Sequence, residues 1–266
     1  MDSPLISFKC TLEYKGTHYH GFQYQNDQKT IQGELNQVLQ QMVKSDDFKT
    51  LGSGRTDAGV HALEQIVKID LPLEMNGTQL MRALNAQLPR DIRVKDCVEC
   101  KADFHPILHA EWKEYLYLFT TRRDLSCFEA DAVVSCPYDF HWEMMDKVCE
   151  AYKGEHDFQN YFCVGTQTPS TVRTIYECQL DRRIPEGRFE QMMLGGDYFA
   201  FRVRGSGFLK QMVRLMVSVL WNVGRGKVDF ETFKRSLSEP MTQHLAPVAP
   251  PQGLYLAQVS YRAGKF

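Results

Sequence analysis

Between Gly207 and Gly224 the chain reads GFLKQMVRLMVSVLWNVG, a pattern apolar nearly all round, with Lys210, Arg214 and Ser218 as a thin i, i+4 polar stripe. The spacing predicts a long helix over 206–223, and a helix of this kind belongs inside a core. It is not a membrane span. Its longest apolar run, Met212 to Trp221, is interrupted by Arg214 and falls short of the roughly 20 residues that crossing a bilayer takes. At 266 residues, 43% of them hydrophobic, the chain can bury a sizeable core without disulfide or metal staples.

The rest of the sequence alternates between two periods. Segment 5–14 alternates apolar and polar residues and stops at Lys15-Gly16, the signature of a strand and turn. Thr30 then precedes Ile31, Leu35, Val38, Leu39 and Met42 at helical spacing, which makes Thr30 the expected N-cap. Further strands are expected over 62–70, 92–100, 172–182, 197–205 and 254–262, and helices over 78–87, 140–152 and 229–238. In WKEYLYLF, Lys113, Tyr115, Tyr117 and Phe119 share one face of a strand while Trp112, Glu114, Leu116 and Leu118 share the other. This order implies an α/β or α+β fold of two halves, 1–108 and 109–266, with helices against a sheet.

Charge balances overall, 31 Lys+Arg against 33 Asp+Glu for a net charge of −2, but it is unevenly spread. Residues 201–235 are strongly basic and 124–160 strongly acidic, which reads either as two solvated faces or as a patch that attracts phosphates. Eight cysteines are scattered through the chain, and the start of the sequence has no secretory pattern, so reduced thiols and a cytoplasmic location are expected. Cys97 and Cys100 form a CxxC without the second ligand pair that a structural zinc needs.

The densest chemistry lies in Gly52-Ser53-Gly54-Arg55-Thr56-Asp57-Ala58-Gly59-Val60-His61-Ala62. Three glycines in eight residues call for unusual backbone angles or close approach, and such a loop displays its Arg, Asp and His. From composition alone, Asp57 reads first as the cap of a turn, since Asp and Gly are ordinary turn formers. Arg214, set in an apolar helix, needs an anionic partner, since an unpaired charge removed from water costs several kcal/mol. That partner could be a structural acid or a catalytic one.

Seven blocks, YKGTHYHGFQYQ (14–25), GSGRTDAGVHA (52–62), LNAQLPRDIRV (84–94), FHPILHAEWKEYLY (104–117), GEHDF (154–158), GSGFLKQMVR (205–214) and GLYL (253–256), resemble in order the motifs of the TruA-type tRNA pseudouridine synthases. The resemblance implies isomerisation of uridine to pseudouridine without metal or other cofactor. It implies an α+β fold of two similar domains, with mixed, mainly antiparallel sheets joined into one extended sheet flanked by helices and an active-site cleft between the domains. It also implies a homodimer that binds tRNA and modifies positions 38 to 40 of the anticodon stem-loop. Residue by residue, Asp57 matches the catalytic aspartate, Arg55 the arginine that helps displace the target base, and Tyr115 the tyrosine that stacks on the uracil. Arg214 matches the arginine paired with the aspartate, and Leu254 an apolar residue of the pocket. Lys210, in the polar stripe with Arg214, is a further candidate substrate-binding residue. The chain departs from the family at Gly21-Phe22-Gln23-Tyr24-Gln25, commonly GWQRQ, and in segment 159–171, which lacks the usual basic residues.

The chemistry fits these residue types. A uracil stacked in a stem must be extruded at a cost of a few kcal/mol and held against an aromatic face. Breaking its N-glycosidic bond calls for a carboxylate kept ionised, which a desolvated arginine favours. A family paralogue acting on other RNA sites is the alternative within this class. A non-catalytic RNA-binding module is the alternative outside it, since aromatic strand faces also bind RNA by stacking alone, but a pure binder has no use for an acid paired with a desolvated arginine.

Overall fold

The computed structural model describes residues 5–163, 168–182 and 197–262. Its elements are β1 (Ile6–Tyr14), α1 (Ile31–Val43), β2 (Lys49–Gly52), β3 (His61–Leu71), α2 (Gly77–Gln87), β4 (Ile92–Glu99), β5 (Ala110–Thr120) and β6 (Val134–Ser135). There follow α3 (Trp142–Tyr152), β7 (Gly154–Asp157), β8 (Val172–Asp181), β9 (Phe199–Gly205), α4 (Met212–Gly224), α5 (Phe230–Arg235) and β10 (Leu254–Tyr261). They form two compact α+β units, one running to Glu111 and resuming at Tyr255, the other spanning Trp112–Leu254.

In the first unit β1 lies between β4 and β3, antiparallel to both. The far edge of β3 is shared. Antiparallel β2 covers one end, from Lys49 opposite Asp70 to Gly52 opposite Val67, and parallel β10 covers the other, with Tyr255 opposite His61 and Leu256 opposite Ala62. The C-terminal strand therefore belongs to the first unit's sheet, although division at 108 assigns it to the second half. Thr30 caps α1 as expected, its Oγ1 accepting the Gly33 N–H at 3.1 Å, and Ile31, Leu35, Val38 and Leu39 form the buried stripe. Asn76 and Gln79 close a reciprocal capping box on α2.

In the second unit β9 lies between β5 and β8, antiparallel to each; β7 extends the sheet beyond β8, and β6 pairs with β5 in parallel. Helix α3 packs on β8 and on α4, where the Tyr152 hydroxyl donates to the Met216 carbonyl at 3.1 Å. All residues of α4 except Arg214 and Asn222 are buried, as its composition demands. The helix is shorter than its pattern suggests. Gln211 has φ +64, a left-handed conformation that stops helix from extending upstream, and α4 begins at Met212. Lys210 therefore lies outside the helix, and the expected polar stripe shrinks to Arg214 and Ser218.

Candidate active site

The loop between β2 and β3, residues 53–60, carries Arg55 and Asp57 and is held at both ends. At its entry the Ser53 N–H donates to the Ile66 carbonyl at 2.7 Å. The Ser53 hydroxyl donates to Gln65 Oε1 at 2.7 Å, and the Gln65 amide donates to the Gly54 carbonyl at 2.7 Å. Inside the loop the Val60 N–H donates to the Asp57 carbonyl at 3.2 Å, and Gly59 turns the chain with φ +77.

The same loop is tied to the segment from Tyr14 to Phe22. The Tyr14 and Thr56 hydroxyls share a hydrogen bond of 2.8 Å. The Gly59 N–H donates to the Tyr19 carbonyl at 3.2 Å and the Phe22 N–H to the Thr56 carbonyl at 3.1 Å. Gly21 has φ +95, and a Cβ there would stand 2.6 Å from the Thr56 carbonyl oxygen; only glycine fits both the angle and the space. The Tyr19 hydroxyl in turn donates to Asp91 at 2.7 Å, and burial together with that carboxylate pushes the phenol well above its ordinary pKa. Two sequence blocks separated by thirty residues thus build one rigid frame. Arg55 stands exposed from it and Asp57 half-buried. His61, expected on display, is instead 2% exposed because it is already the first residue of β3.

In the second unit Tyr115 lies on β5 opposite Val203 and is 8% exposed, its ring edge-on to Phe208 at 5.0 Å. Two residues on, the buried Tyr117 hydroxyl donates to the Pro250 carbonyl at 2.7 Å, while Arg214 Nε–H donates to the adjacent Ala249 carbonyl at 2.6 Å. Tyr117 and Arg214 thus bind successive carbonyls of the chain leading into β10. Burial raises the Tyr117 pKa, and the Arg214 charge partly offsets it. Leu254 is buried at the start of β10, and Lys210 is exposed.

Two residues not singled out as site residues also stand out. Lys113, on β5 opposite Gly205, is pushed down to about 8 by burial. On the opposite face of β5, Glu114 bridges Arg202 and Arg204, each at 3.7 Å. Arg202 also pairs with Asp181 at 3.0 Å, and Arg204 with Glu177. Burial raises the Glu114 pKa and both arginines oppose the rise. Two of the cations in the basic stretch 201–235 are therefore neutralised within the sheet. The unusual segment 159–171 is described except for 164–167, which lie outside the described residues. Among the described residues the cysteines form no disulfide, and no three His, Cys, Asp or Glu side chains gather as metal ligands.

A family model described as tRNA pseudouridine synthase matches residues 11–107 and 148–262. Arg55, Asp57, Lys210, Arg214 and Leu254 fall within the matched stretches, and Tyr115 lies between them. Among curated proteins, the chain is 38% identical over 253 residues to a protein named tRNA pseudouridine synthase A from a Geobacillus species, covering 95% of this chain and 97% of the relative. It is 39% identical over 258 residues to the protein of that name from Exiguobacterium sibiricum, with 97% and 98% covered. A protein named tRNA pseudouridine synthase A 1 from Bacillus cereus is 35% identical over 253 residues, with 95% and 98% covered.

Proposed function

The chain belongs to the tRNA pseudouridine synthase family, and on that premise we propose that Asp57 is the carboxylate with which it isomerises uridine to pseudouridine in tRNA. The reaction breaks the bond from ribose C1′ to N1 of uracil and forms one from C1′ to C5, with a proton lost at C5 and one gained at N1. No atoms and no net electrons are exchanged, so the work falls to positioning, charge and proton transfer by the chain's own side chains. The observation that carries the reading is the frame around Asp57. A half-buried carboxylate on a loop fixed by hydrogen bonds to Tyr14, Tyr19, Phe22 and Gln65 is held in place before substrate arrives, which is what reactive-group geometry requires.

The remaining roles follow the family resemblance. Arg55, exposed beside Asp57 in the same loop, displaces the target base from the stem. Tyr115 supplies the face on which the extruded uracil stacks, with Phe208 bracing its ring. Arg214, its Nε engaged at Ala249, is the arginine that pairs with the catalytic carboxylate; Leu254 lines the pocket, and exposed Lys210 contacts the RNA backbone. The target positions are 38 to 40 of the anticodon stem-loop, and the enzyme works as a cytoplasmic homodimer.

Mapping pseudouridine in tRNA from cells with and without the gene tests the substrate assignment. Loss of modification at positions 38 to 40, restored by the wild-type gene, is the expected result. Unchanged modification there with loss at another RNA site would reassign the enzyme to a different target. Sedimentation of the purified protein at two chain masses is expected for the dimer, and at one mass would contradict it.

A further inference from the structure

His61 closes the loop that carries Asp57, yet it points into the protein rather than toward solvent. Its Nδ1 accepts the Gly16 N–H at 3.0 Å, and its ring stacks on Tyr255 at 4.7 Å between centroids. Accepting at Nδ1 places the proton of the neutral ring on Nε2. The turn at Gly16 lies hard against the loop exit, because a Cβ on Gly16 would overlap the Val60 carbonyl oxygen. One imidazole thus joins the turn after β1, the exit of the Asp57 loop, and the parallel strand β10.

We propose that His61 is a positioning residue for the reaction, acting as the hydrogen-bond acceptor that fixes the loop exit and hence the place of Asp57. Other ties between the loop and the 14–22 segment fix its middle, at Thr56 and Gly59; His61 fixes its end, four residues after the carboxylate. The accepting nitrogen must carry no proton, because its partner is the backbone N–H of Gly16. The packing of the ring on Tyr255 holds that acceptor in register with β10. The proposal rests on Asp57 being the catalytic carboxylate.

Two substitutions separate acceptor from ring. His61→Asn keeps an oxygen where Nδ1 stands and loses the stack, whereas His61→Phe keeps the stack and loses the acceptor. Single-turnover pseudouridine formation and tRNA affinity are measured for both, with wild type and Asp57→Asn in the same assay. A positioning acceptor predicts that His61→Phe slows turnover by roughly ten- to a hundredfold, the scale of a small displacement of reacting groups. His61→Asn should stay within about threefold of wild type, and tRNA affinity should hold in both. Equal rates in His61→Phe and wild type, or His61→Phe outpacing His61→Asn, would overturn the proposal and leave His61 a packing residue. Activity in Asp57→Asn would instead overturn the reading on which the proposal rests, whatever the His61 variants do.

Discussion

The hydroxyls of Tyr14 and Thr56 meet 2.8 Å apart in the interior of the first unit, joining the last residue of β1 to the residue before Asp57. Both side chains are nearly inaccessible, so water cannot readily replace either partner. Tyr14→Phe should therefore cost about 1–3 kcal/mol, the desolvation penalty of the Thr56 hydroxyl it strands. Urea unfolding measures this: a lower midpoint with unchanged slope is expected, and an unchanged midpoint would show that the bond contributes nothing.

Arg214→Met keeps the apolar stem and deletes both the charge and the Nε–H that binds Ala249. Single-turnover rate should fall about a hundredfold or more, the scale seen when a preorganised electrostatic group is removed, with tRNA affinity changed far less. Normal turnover with a shallower salt dependence of binding would make Arg214 a phosphate contact instead.

Tyr115 sits in the sheet yet retains slight exposure, as a stacking platform requires. Tyr115→Phe should keep tRNA affinity, because the π-face survives, while Tyr115→Leu should lose about 1–3 kcal/mol of binding. If Tyr115→Leu instead melts far below wild type while its folded fraction reacts at the normal rate, the ring is a core residue and the stacking role falls.

Lys113 gives a pH signature. Burial lowers its pKa to about 8 in the folded chain, from the ordinary value of 10.5. Between those values the unfolded chain binds more protons than the folded one, so the lysine's destabilising effect is full below about pH 8 and fades as pH rises toward 10.5. The stability of wild type relative to Lys113→Met should therefore increase over that interval. A difference that stays flat from pH 7 to 10.5 would place the amine in water.

Much of this was legible in the sequence because local signals and burial agreed. Thr30 before a 3.6-period stripe and the alternation of 5–14 each depend on neighbours close in the chain. The motif blocks single out Asp57, Tyr115 and Arg214, whose roles stand as proposals. What could not be read locally was set by contacts between distant segments. Gln211 adopts a left-handed angle that side-chain polarity does not announce, so α4 starts late and Lys210 leaves its stripe. The C-terminal strand joins β3 through a parallel pairing no local pattern encodes. His61 looked like a displayed loop residue because its acceptor role depends on Gly16, forty-five positions away. Arg202 and Arg204 belong to a basic stretch that reads either as a solvated face or as a phosphate-attracting patch, and only cross-strand register places Glu114, Glu177 and Asp181 beside them.

The most direct test of Asp57 as the catalytic carboxylate is single-turnover pseudouridine formation on tRNA by purified Asp57→Asn. The amide keeps the side chain's shape and removes the ionised oxygen, so the variant should melt like wild type, bind tRNA with unchanged affinity, and form no pseudouridine above a no-enzyme control. Measurable isomerisation by the folded variant would contradict the account at its centre.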